Sequence, residues 1–205
     1  MALDIPFHQR KKQMTLLIAG LLIFLANHSL RIFAPTWRER FIASHGANTW
    51  KAVYSGFSLL GLVLIVYGYG MSRSDPVFIW TPPVWTRHLA ITLTWLSFIL
   101  LAAAQIPNNH IKQKLGHPMY AGIKIWAFAH LIANGRLSEV LMFGAFMAWA
   151  IIGFSASRRR DKAAGTTWPK GTMPGTIATL VAGSVAWFVF AWWLHYMLIG
   201  VYPLA

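Results

Sequence analysis

Histidine is the residue type that could carry chemistry in this sequence. The chain has eight histidines, no cysteine and five acidic residues, and none of the acidic residues lies deep in an apolar run. A neutral imidazole inside a membrane either hydrogen-bonds to a neighbour or ligates a metal. An all-histidine site favours haem iron over structural zinc, which normally has four mixed ligands. Five histidines lie within apolar runs or at their ends: His28, His88, His117, His130 and His195.

Two of these histidines share one predicted helix but face different ways. His117 and His130 are thirteen residues apart, so at 100° per residue they point roughly 140° away from each other. His130 shares its face with Trp126 and Asn134, whereas His117 shares its face with Lys124. The alternative interpretation of these residues is structural. His130 and Trp126 would pack, His117 would cap the helix start, and Asn134 would form the C-terminal turn.

The helix that must position both histidines runs through residues 116–136. Pro118 is typical of a helix start, because its missing N–H has no partner there in any case. Asn134-Gly135 predicts the helix end, with a residue of positive φ. The roughly 17 residues between these points are at the short end of what spans a bilayer. His130 is therefore predicted to lie in hydrocarbon or protein rather than in water.

The composition is that of a membrane protein. Of 205 residues, 57% are hydrophobic and 11% are charged, where a soluble domain has about 25% charged residues. The formal net charge is +13, but the basic residues cluster in short connections between apolar runs. They are interpreted as topology determinants and contacts with anionic lipid headgroups. No basic domain lies outside the apolar runs, so nucleic-acid binding is not predicted.

The apolar runs predict an all-α fold: a polytopic bundle of about six transmembrane helices in a single domain, residues 1–205. Residues 36–50 predict a short interfacial helix, and four glycines of the second run predict close helix packing. The positive-inside rule places connections one, three and five in the cytoplasm, although the basic N-terminal residues 10–12 argue against this orientation. The predicted spans are about 14–34, 52–70, 88–106, 117–134, 137–157 and 176–201.

The sequence HPMYAGIKIWAFAHLIANG, together with Asn27-His28 in the first span and Gly68-Tyr69-Gly70 in the second, resembles the NnrU family. The similarity covers nearly the whole chain and implies a bacterial inner-membrane protein linked to nitrite and nitric oxide reduction. A relative within that family, zeta-carotene isomerase, is a membrane haem b protein. The resemblance implies that His28 and His130 are axial ligands. Ala127 stands where that relative has a cysteine, which excludes ligand exchange to a thiolate.

The haem interpretation assigns roles to the neighbouring residues. Trp126 is expected to pack against the macrocycle and Asn134 to tune the site by hydrogen bonding. His117, Lys124 and Arg31 are expected to pair with haem propionates or lipid phosphate. The predicted spans place His28 and His130 roughly 10–13 Å apart in depth, so His88 and His195 remain alternative second ligands.

A weaker similarity links His117-Pro118-Met119-Tyr120-Ala121-Gly122 to isoprenylcysteine carboxyl methyltransferases. The acidic pair of that family is missing here, because the last 40 residues contain no acidic side chain. Redox or sensing chemistry on haem is therefore the main hypothesis, with membrane redox or respiratory proteins as partners. The competing hypothesis is a non-enzymatic accessory or assembly protein with structural histidines, and the sequence leaves open whether the chain is an enzyme.

Overall fold

A computed structural model of the chain describes residues 7–204, with side chains from residue 14 onward. The basic residues at positions 10–12, which bear on the predicted orientation, lie outside the described side chains. The helices are α1 (Phe7–Phe33), α2 (Pro35–His45), α3 (Ala47–Ser72), α4 (Val84–Gln105), α5 (His110–Leu115), α6 (Pro118–Ala133), α7 (Leu137–Ala164), α8 (Met173–Val189), a π-helical segment (Phe190–Leu194) and α9 (His195–Ile199).

The all-α membrane class is confirmed. Five helices are long and apolar enough to cross a membrane, and the described residues form no strand beyond an isolated bridge between Phe78 and Arg136. The helix α6 is not among the five because it has 16 residues, or roughly 24 Å against about 30 Å of hydrocarbon. The five are Met14–Phe33, Ala47–Ser72, Val84–Gln105, Leu137–Ala164 and Met173–Ile199.

The described chain forms two compact units. Unit 1 comprises the described residues up to Trp80 together with Gly135–Ala145, and unit 2 comprises Thr81–Asn134 together with the described residues from Phe146 onward. The helix α7 contributes its first turns to unit 1 and the remainder to unit 2.

Glycines bring α1 and α3 close together in unit 1. A Cβ added at Gly20, Gly61 or Gly68 would lie within 3 Å of backbone atoms of the opposite helix. Gly56 and Gly70 have open space around them, so the prediction of close packing was wrong for these two. Small residues allow two backbones to approach in a membrane, where packing rather than hydrophobic burial holds helices together.

Asn27 forms hydrogen bonds that connect α1 to α3. Its side-chain amide donates to the carbonyl oxygen of Tyr54 at 2.9 Å and to Ser58 Oγ at 2.8 Å. The residue is buried, so its amide has to find partners inside the protein. This contact fixes the register of the two helices immediately before His28.

The backbone conformation at the end of α6 differs from the sequence prediction, although the helix ends at the predicted position. Asn134 is extended, with φ −128° and ψ 139°, and Gly135 is not among the residues of positive φ. Glycine is needed at position 135 for another reason, since an added Cβ would collide with the carbonyl oxygen of Trp80. The Gly135 carbonyl accepts from the Ile79 amide at 2.8 Å, so this contact anchors the connection before α4.

Glu139 caps the start of α7. Its carboxylate accepts from the backbone N–H of Arg136 at 3.1 Å and from the Tyr69 hydroxyl at 3.2 Å. A carboxylate at this position also opposes the positive end of the helix dipole. The residue is only 5% exposed, so it is buried although it lies at the end of its helix.

We expect Glu139→Ala to destabilise the protein by about 2 kcal/mol, through loss of the helix cap and of the acceptor for the half-buried Tyr69 hydroxyl. Thermal unfolding in detergent measures this effect. Glu39→Ala is the matched control, because Glu39 is exposed on α2. Equal unfolding midpoints for the two variants would contradict the capping role.

In unit 2, α4 packs against both α6 and α8 through small residues. Ser97 Oγ donates to the carbonyl oxygen of Gly122 in α6 at 2.8 Å. On α8, Gly183 lies against the backbone of Ile99. The indole N–H of Trp187 donates to Thr94 Oγ1 at 3.2 Å. These contacts position α6, and with it His117 and His130, within unit 2.

Candidate functional site

His130 lies in the last turn of α6, in contact with the two residues predicted to share its face. Its Nδ1 is 2.8 Å from the carbonyl oxygen of Trp126, and the two ring centroids are 5.2 Å apart. The side-chain amide of Asn134 donates to the His130 carbonyl oxygen at 2.9 Å. Asn134 thereby satisfies a carbonyl at the helix end.

His28 lies near the end of α1 in unit 1 and has the same local arrangement. Its Nδ1 is 2.8 Å from the carbonyl oxygen of Phe24, and the two rings are stacked with centroids 4.1 Å apart. The ring of Tyr54 lies 5.3 Å away. The neighbouring Asn27 fixes this part of α1 against α3.

His195 follows the π-helical segment of the last span in unit 2. Its Nδ1 is 2.8 Å from the carbonyl oxygen of Val201, and its ring contacts Phe190 edge to face. His195 and His130 both belong to unit 2. His88, the other alternative ligand, is exposed in the first turns of α4.

One feature is common to His28, His130 and His195. In each, Nδ1 faces a backbone carbonyl oxygen, which can only accept a hydrogen bond. Nδ1 therefore has the proton, and in the neutral ring Nε2 has the lone pair. This tautomer is the one that binds a metal through Nε2, with the backbone carbonyl orienting the ring.

The chemistry of this donor set fits haem better than a closed metal site. No group of three or more histidine, cysteine or acidic side chains that could hold a metal ion lies among the described side chains, residues 14–204. The iron of haem is already held by the porphyrin ring, so it needs only one or two ligands from the protein. His28 belongs to unit 1, whereas His130 and His195 belong to unit 2.

His117 belongs to a different cluster, at the other end of α6. It stands at the N-cap position, but its side chain does not cap the helix. Instead, Nε2 donates to Asp161 Oδ2 at 2.9 Å. The same oxygen accepts the indole N–H of Trp168 at 3.2 Å, and the rings of His117 and Trp168 meet edge to face. Asp161 thus joins the start of α6 to the end of α7 and to the following loop.

Lys124 and Arg31 do not join this cluster. The Lys124 ammonium lies 4.2 Å from the ring centroid of Phe154 and makes a cation–π contact with it. Arg31 is exposed in the last turn of α1, in unit 1. The expectation that His117, Lys124 and Arg31 pair with haem propionates or lipid phosphate stays a prediction.

A cleft of about 650 Å³ opens beside Asp161. The sequence analysis did not pair Asp161 with His117 or with Trp168. The indication that the sequence offered for this contact was Asp161 itself, the single carboxylate within the basic run Arg158–Lys162. An acidic residue among cations is expected to have a specific structural role. The lining residues are Arg158, Arg159, Asp161, Lys162, Gly165, Thr166 and Trp168.

Comparison with protein families matches residues 16–203 to the family described as NnrU protein. No curated protein and no solved structure matches the chain. The match covers nearly the whole sequence, including α6 and its two histidines. The chain therefore belongs to the NnrU family.

Proposed function

We propose that this NnrU family membrane protein binds haem b and acts in a redox or sensing step linked to nitrite and nitric oxide metabolism. The observation that supports the proposal is that Nδ1 of His28, His130 and His195 faces a backbone carbonyl oxygen in each case, which favours the tautomer that ligates a metal through Nε2. When bound, haem supplies a one-electron couple at the iron. The link to nitrogen oxides comes from the family alone.

In this proposal His130 would hold the haem iron together with His28 or His195. The Trp126 carbonyl orients the His130 ring, while the Trp126 indole would pack beside the bound haem. Asn134 holds the His130 carbonyl and so fixes the last turn of α6. The location of His195 and His130 in the same unit favours this pair, whereas the resemblance to zeta-carotene isomerase favours His28.

A reduced-minus-oxidised absorption spectrum of the detergent-purified protein tests the proposal. We expect a haem spectrum that is lost in His130→Ala and in one of His28→Ala and His195→Ala. His88→Ala is the matched control, because His88 is exposed, and it should keep the spectrum. A colourless, folded protein from haem-replete cells would overturn the proposal and support the non-enzymatic accessory role.

A further inference from the structure

The cleft beside Asp161 is a charged surface that the haem proposal does not use. It is formed by the last two turns of α7 and the loop that follows, all within unit 2. Its volume, about 650 Å³, is within the range of small-ligand sites, roughly 300–1,000 Å³. The Trp168 indole forms one wall and is held in place by Asp161.

The cations in the cleft are not neutralised by the protein. The side chains of Arg158, Arg159 and Lys162 form no ion pair with any carboxylate in the described part of the chain. Asp161 is the one acidic residue in the lining, and its Oδ2 is engaged by His117 and Trp168. Three cations and one carboxylate leave a net positive charge facing the opening.

The position of these cations along α7 matches the depth of lipid headgroups. The apolar part of the helix, residues 137–157, is about 31 Å long, close to the roughly 30 Å thickness of the hydrocarbon core. Arg158 and Lys162 therefore lie where the phosphates of a bilayer begin. Tryptophan is typical of this level as well.

We infer that the cleft formed by Arg158, Arg159, Lys162 and Trp168 binds a phosphate-bearing anion. The guanidinium groups match phosphate oxygens in a bidentate arrangement, and Lys162 adds a point charge. The phosphate is that of an anionic lipid headgroup or of a soluble phosphate compound. The His117–Asp161 pair positions Trp168 and does not itself contact the anion.

Native mass spectrometry of the detergent-purified protein tests this inference, with phosphatidylglycerol, phosphatidylcholine and inorganic phosphate as probes. We expect phosphatidylglycerol adducts that R159Q/K162Q weakens roughly tenfold or more, since each basic residue near a membrane surface contributes severalfold in affinity. R160Q/K170Q is the matched control. It removes the same charge, but Arg160 donates to Ser157 at 3.1 Å and neither residue lines the cleft.

The probes separate the two sources of phosphate. Phosphatidylglycerol binding that inorganic phosphate does not displace identifies a lipid site, whereas displacement by millimolar phosphate identifies a site for a soluble phosphate compound. Both outcomes support the inference. Equal weakening by the two double variants, equal binding of phosphatidylcholine and phosphatidylglycerol, or no binding of any probe would overturn it. The four substituted side chains are polar and lie near the membrane surface, and circular dichroism verifies that both variants fold.

Discussion

Gly68→Ala should lower the stability of the protein by about 2 kcal/mol, although alanine is the better helix former. An added Cβ at this position would lie 2.5 Å from the backbone nitrogen of Leu17 in α1. A backbone atom cannot move aside as the end of a flexible side chain can. The two helices must therefore separate, and the contacts of Asn27 with Tyr54 and Ser58 are strained as well.

The measurement is the thermal unfolding midpoint in detergent, with Gly70→Ala as the matched control. Gly70 is in the same helix, two residues away, and a Cβ there meets nothing within 4 Å. Helix propensity predicts that the control is neutral or slightly more stable. If Gly68→Ala also unfolds at or above the parent midpoint, the close approach of α1 and α3 is incorrect.

Asp161→Ala should release the loop that forms the cleft. The substitution removes the acceptor shared by His117 Nε2 and Trp168 Nε1, two hydrogen bonds that together contribute about 1–2 kcal/mol at this partly exposed site. We expect amide hydrogen exchange in residues 165–168 to accelerate roughly tenfold. Hydrogen-exchange mass spectrometry measures this directly.

The loop also provides an internal reference for that experiment. Gly171 N donates to Gln113 Oε1 at 2.9 Å, and Thr172 N donates to the Asn108 carbonyl at 2.8 Å. Exchange at these two amides should stay unchanged in Asp161→Ala. Asp161→Asn retains an oxygen acceptor, so its effect should be smaller. Unchanged exchange at residues 165–168 in the alanine variant would show that Asp161 does not hold the loop.

The limits of α6, and the contacts on the helix face that includes His130, could be predicted from the sequence. Both depend only on residues that are close together in the chain. Pro118 begins the helix where its residue type predicts. Trp126, His130 and Asn134 are four residues apart, so helical geometry alone brings them together. The end of α6 was predicted at the right place for the wrong reason, since Gly135 serves a close contact with Trp80 and not a left-handed turn.

The partner of His117 could not be predicted in the same way. Asp161 is 44 residues away, and the pair depends on how α6 and α7 pack. The glycines of α3 are an intermediate case. Gly61 and Gly68 are seven residues apart and share a face, whereas Gly56 and Gly70 point roughly 130° and 170° away from the middle of that face. The spacing of the four glycines therefore distinguishes those that pack against α1 from those that do not, whereas residue type alone does not.

The π-helical segment Phe190–Leu194 is equivalent to one extra residue in a continuous α-helix. Each added residue rotates everything that follows by about 100°. The two halves of the last span are therefore out of phase, and no single helical wheel describes both. The direction of His195 depends on this wide turn as much as on its own position, so a relative lacking one residue here would turn the equivalent histidine toward a different neighbour.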